Sequence, residues 1–120
     1  MSIVANVLVA LVALLHIYIL VLEMFLWRAP LGRKTFNLDQ EFADRSAGLA
    51  KNQGLYNGFL AAGLVWGLVA SDPVGFQAKV FFLVCVFVAG AYGAATVNKR
   101  ILVVQSVPAL LALILVVLSR

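Results

Sequence analysis

Four long apolar runs divide the chain, and the polar residues fall between them or at a few set depths inside them. About twenty apolar residues in a helix cross a bilayer core of about 30 Å, so each run predicts a membrane span. The expected spans are 3–27, 48–69, 76–97 and 101–118. Trp27 and Arg28 close the first as an interfacial ring and a base whose stem lies along the apolar surface. The one long polar connection is 28–47. In it, Ala29-Pro30-Leu31-Gly32 reads as a turn, and Asn37 with Gln40 reads as a capping box opening a short interfacial helix over 38–47, either separate or running straight into span two. Ser71-Asp72-Pro73-Val74-Gly75 predicts a tight hairpin, Asn98-Lys99-Arg100 a short turn, and Pro108 lies inside the fourth span.

This pattern predicts an all-α, integral membrane four-transmembrane-helix bundle forming one domain over residues 1–120. Composition strengthens the reading. The chain is 64% hydrophobic and 12% charged, with a mean hydropathy of +1.06, whereas soluble domains are about 25% charged. No Lys or Arg precedes the first run and no small-x-small site closes it, so it reads as a retained span and not a signal peptide. The net charge of +4 does not suggest nucleic acid, because the bases flank apolar runs instead of forming a patch. Arg28, Arg33, Lys34, Arg45, Lys51, Lys99 and Arg100 lie on one side, and only Lys79 and Arg120 on the other. Basic residues accumulate in the cytoplasm. Both termini are therefore expected outside, with the long first connection cytoplasmic, in a multi-pass cell (inner/plasma) membrane protein. The single Cys85 permits no intrachain disulfide and reads as an inert buried thiol.

Depth along each helix, at about 1.5 Å per residue, places the candidate chemistry. Glu23, Asn52, Gln53, Tyr92 and Gln105 all fall about 6–8 Å below the cytoplasmic face, with Tyr56 and Asn57 one turn deeper and His16 deeper still. His16 and Glu23 are seven apart and share a helix face. The outer halves of the spans are almost purely apolar, apart from Asn6. The expectation is a polar basin open to the cytoplasm and closed outward by an apolar plug. In span two the amides and Tyr56 occupy one arc, while Gly54, Gly58, Ala61 and Ala62 occupy the next, where small residues allow close helix approach. Each feature also has a simpler reading. A carboxylate in the last turn of a span reaches the interface unaided, His16 also serves as a hydrogen-bonded packing residue, and amides also act as interhelical glue contributing about 0.6–2 kcal/mol each. One His and one Glu repeat no metal-ligand spacing, and no phosphate loop, nucleophile elbow or zinc motif is present.

Leu22-Glu23-Met24-Phe25-Leu26-Trp27, Gly32-Arg33-Lys34 and above all Asn52-Gln53-Gly54-Leu55-Tyr56-Asn57-Gly58-Phe59-Leu60-Ala61-Ala62-Gly63 resemble the domain-of-unknown-function family 1304, small and mostly bacterial four-span membrane proteins. The resemblance covers essentially the whole chain. It implies the fold and the inner membrane, and no reaction. A fainter likeness is to the membrane-associated eicosanoid and glutathione metabolism proteins, four-span trimers with a polar site in the cytoplasmic half. Lys51 and Asn52 fit the opening of their second span, but Tyr56 and Asn57 stand where those proteins carry an acid. Tyr92 stands alone where they carry an arginine-rich pattern, so the likeness implies a fold and not glutathione chemistry.

The expected partners are the lipid bilayer, a small amphipathic ligand and further copies in a homo-oligomer, with no nucleic acid and no metal. The cofactor is unspecified. The first functional reading is a pocket for a small amphipathic or lipid-like molecule, lined by His16, Glu23, Asn52, Gln53, Tyr56, Asn57, Tyr92 and Gln105. If it is an enzyme, Glu23 or His16 is the proton-transfer candidate. Two further readings stay open: a small proton-coupled transporter subunit using Glu23, and a structural or assembly subunit without a ligand.

Overall fold

The computed structural model describes residues 2–96 and 99–120. Val97 and Asn98, at the expected end of span three and start of the following turn, lie outside the described residues. The chain is all-α. The helices are α1 (Ser2–Met24), α2 (Pro30–Phe36), α3 (Gln40–Val69), α4 (Val74–Thr96) and α5 (Val107–Leu118), with a π-helical segment, Leu102–Ser106, leading into α5. Residues Ile3–Met24 of α1 and Val74–Thr96 are long and apolar enough to cross a membrane, and Val103–Leu118 is a shorter apolar stretch. By length and composition, these two helices suggest an association with a membrane.

The boundaries depart from the sequence expectation at three places. The first span ends at Met24, three residues early. Ala29 is extended, with φ −75° and ψ 159°, and Pro30 opens α2 where a turn was expected. Pro suits the first helical position because its missing N–H has no intrahelical partner there. Gly32 then sits against the Leu26 carbonyl, with no room for a side chain. The second departure concerns the capping box. Asn37 adopts the left-handed conformation, φ 57°, and ends α2, its N–H directed at the Arg33 and Lys34 carbonyls. Asp39 takes over the cap of α3: its Oδ1 accepts from the Phe42 N–H at 2.7 Å. Gln40 donates to Asp44 Oδ1 at 2.8 Å instead of reaching back. Of the two alternatives for 38–47, the structure has the interfacial helix running straight into span two, as one continuous helix of 30 residues.

The third departure is in span four, expected as one regular helix over 101–118. Pro108 has no N–H to give the carbonyl four residues back. The turns before it are wound as π-helix, and Pro108 falls in the first turn of α5. A local π turn is a common way for a helix to absorb such a mismatch.

The chain forms two compact units. One contains the residues up to Leu14 and those from Leu60 onward; the other is Leu15–Phe59. The first has an apolar core in which Val9, Val12, Leu64, Leu83, Val86, Ala109 and Val116 are all but fully buried. Small residues set its helix spacing. A Cβ on Gly67 would lie 2.6 Å from Lys79 Cγ, and Gly90 backs directly onto Ser106. The Ser106 hydroxyl donates to the Phe87 carbonyl at 2.8 Å, fastening the π segment to α4. Between α3 and α4 the turn holds Asp72, whose Oδ1 accepts from the Phe76 N–H at 3.1 Å. Asn6 in α1 accepts a 2.9 Å hydrogen bond from the Lys79 ammonium in α4.

Candidate functional site

The second unit packs the end of α1 against α2 and the first twenty residues of α3. On α1 His16 and Glu23, seven residues apart and so on one helix face, are both buried. The facing stripe of α3 is Ala43, Ala50, Gly54 and Asn57, at the same helical period. Two small alanines and a glycine let the backbones close up. At Gly54 a Cβ would fall 2.5 Å from Met24 Cγ and 3.3 Å from the Leu20 carbonyl oxygen. This approach brings Glu23 to Asn57, whose side-chain amide donates to Glu23 Oε1 at 2.5 Å. Both residues are buried, Glu23 being 8% exposed and Asn57 7%. A polar group taken from water needs such a partner, because an unmade hydrogen bond there costs about 1–3 kcal/mol.

Beside this pair an open cleft of about 670 Å³ runs between the α1 terminus and the face of α3 that carries Gln40, Asp44, Ala47 and Lys51. Glu23 lies in its wall, with Met24, Phe25 and Trp27 supplying apolar surface and Arg28 a cation. Trp27 is fixed on two sides. Its indole N–H donates to Ser46 Oγ at 3.0 Å, and its ring lies 4.9 Å from that of Phe36 in α2. Arg28 and Asp44 approach to 4.0 Å, both well exposed, so the pair adds little stability and its charges remain available to a third group. Lys51, also exposed, forms no ion pair among the described residues. The cleft thus offers two carboxylates, two bases and an apolar wall in one place.

The expected site residues divide accordingly. Glu23 and Asn57 come together. His16 is fully buried one turn pair away on the same face of α1. Asn52, Gln53 and Tyr56 point away from the seam and are exposed, Tyr56 stacking edge-on with Phe59 at 6.1 Å. Tyr92 and Gln105 belong to the other unit; Tyr92 is 70% exposed and Gln105 is half-buried in the π segment. None of these five lines the cleft. Its walls use Gln40, Asp44 and Lys51, which sequence reasoning assigned to a connection or to orientation. Their signal was available as a stripe spaced four, three and four residues, through Ala47, but placing a boundary at residue 48 cut it in two. Among the described residues no three of His, Cys, Asp and Glu converge as a metal site. The chemistry on offer is polar recognition beside an apolar surface.

Comparison with known proteins agrees with the sequence resemblance. Residues 10–117 match the model of a family described as "Protein of unknown function (DUF1304)". The chain is 36% identical over 118 residues to the uncharacterized protein YpaA of Lactococcus lactis subsp. lactis (strain IL1403), covering 95% of this chain and 97% of that one. No solved structure matches it.

Proposed function

The chain belongs to the DUF1304 family of proteins of unknown function, and from that premise we propose that it is a four-span inner-membrane protein that binds a small amphipathic molecule in the Glu23 cleft. The observation carrying this reading is the cleft itself: a buried carboxylate held by Asn57, charged groups at the rim, and Met24, Phe25 and Trp27 beside them. That combination suits a molecule with a polar head and an apolar body. Tryptophan and arginine next to the end of an apolar helix belong at the membrane–water boundary, which puts the cleft mouth at the depth where an amphiphile's head lies.

The four-span topology extends the two apolar helices. At about 1.5 Å per residue α3 is about 45 Å long, enough to cross the core and leave its first turns in the headgroup region. The π segment and α5 continue one another over 17 residues, about the minimum for a span. The bias of bases places both termini outside and the cleft on the cytoplasmic side.

The test is ligand-induced thermal stabilisation of the purified protein by fractionated membrane lipids, compared with the Glu23→Gln and Asn57→Ala variants. A stabilising fraction for the wild type, lost in both variants while they still insert, is the expected result. An undiminished shift in both would remove the cleft as the binding site.

A further inference from the structure

Resting on the reading of the cleft as an amphiphile site, we propose that its occupant is an aminophospholipid, with the lipid phosphate on Lys51 and the primary ammonium on Asp44. The charges select the class. Two bases and two carboxylates line one cleft. A purely anionic head would face both carboxylates, and a cation would face both bases; a head carrying both signs meets each with its opposite. The order of the groups selects the orientation. Asp44 and Arg28 are level, as their 4.0 Å approach shows. Lys51 lies seven residues further along α3, about 10 Å nearer the apolar run of that helix, on the same stripe as Asp44. In a phospholipid the phosphate adjoins the glycerol and the amine lies beyond it. A lipid of the adjoining leaflet would therefore meet Lys51 with its phosphate and Asp44 with its amine, without inverting.

Two further groups fit this placement. Gln40 Nε2 donates to Asp44 Oδ1 at 2.8 Å and so holds the carboxylate that would accept from the ammonium. Phe25, 72% exposed at the rim, presents an aromatic face along which an acyl chain can lie. Acceptors of this kind favour a primary ammonium, which donates hydrogen bonds, over a quaternary one, which does not.

The experiment measures thermal unfolding of the full chain in mild detergent with phosphatidylethanolamine, phosphatidylglycerol and phosphatidylcholine of identical acyl chains, and with glycerophosphoethanolamine. Phosphatidylethanolamine should raise Tm by several degrees and the other two lipids by less than half as much. Lys51→Ala should abolish the shift and Lys51→Arg should keep it. Asp44→Asn should lower the ethanolamine shift to that of the glycerol lipid. Equal shifts from ethanolamine and glycerol lipids in the wild type would overturn the proposal, as would ethanolamine shifts unchanged in Lys51→Ala and Asp44→Asn. Glycerophosphoethanolamine matching the whole lipid would overturn the lipid as occupant. Glu23-dependent stabilisation by an amphiphile lacking phosphate or amine would overturn this assignment and leave the amphiphile site standing; no stabilising amphiphile at all would remove both.

Discussion

Two pairs of polar residues within the apolar helices join different helices. Asn57 donates to Glu23 across α3 and α1, and Lys79 donates to Asn6 across α4 and α1. Pairs of this kind contribute about 0.6–2 kcal/mol in membrane proteins. Removing one partner costs more than removing both, since the survivor keeps its desolvation penalty. The Lys79–Asn6 pair allows a clean test because it lies outside the cleft. Asn6→Leu alone is expected to lower stability by about 1–2 kcal/mol, and Asn6→Leu with Lys79→Met to recover most of the loss. Denaturation in detergent micelles measures both. A double variant as unstable as the sum of the two single ones would show that the pair does not couple.

At the scale of elements, small residues decide which faces meet. Gly54 and Gly48 lie six residues apart on α3 with opposite surroundings. A Cβ at Gly54 meets Met24 at 2.5 Å, while one at Gly48 meets nothing within 4 Å. Gly54→Val should force α1 and α3 apart, cost about 1–3 kcal/mol and weaken the Glu23–Asn57 bond. Gly48→Val should cost well under that. Thermal unfolding of the two variants side by side separates close packing from the general effect of a branched residue in a helix; equal losses would remove the argument for close approach. Proline acts more locally. Pro30 begins α2 after the extended Ala29, and Pro108 coincides with π winding. Both prolines stand out in the sequence, yet what the backbone does around each depends on what it packs against. Ser106 bonded to the Phe87 carbonyl fixes the π segment; Gly32 under the Leu26 carbonyl fixes α2.

For the whole molecule, the proposal turns on α3 crossing the bilayer. Thr35, at the end of α2, and Ser71, beyond α3, are both exposed and lie at opposite ends of that helix. In a Cys85→Ala background, a membrane-impermeant maleimide applied to intact cells should label Ser71→Cys. Thr35→Cys should react only after permeabilisation. The inverse pattern would place the termini inside, and labelling of both from the same side would mean that α3 does not cross.

The sequence by itself determined that the chain is helical, where its apolar stretches run, and that Glu23 and the Asn52–Asn57 segment are unusual for such stretches. These are properties of composition and local period, each residue contributing independently of what it faces. The heptad spacing also put His16 and Glu23 on one buried face, because helical geometry alone fixes which residues share a side. Tertiary structure decided which polar residues are used together. Four residues of Asn52–Asn57 looked alike as amides and a phenol. The close approach at Gly54 took Asn57 inward to Glu23 and left Asn52, Gln53 and Tyr56 exposed. It also joined Gln40, Asp44 and Lys51 into one wall, because the Asp39 cap starts α3 eight residues before the apolar run that announced it. A cleft exists only where two elements meet, and the pairing of surfaces is a property of the folded chain that no single stretch carries.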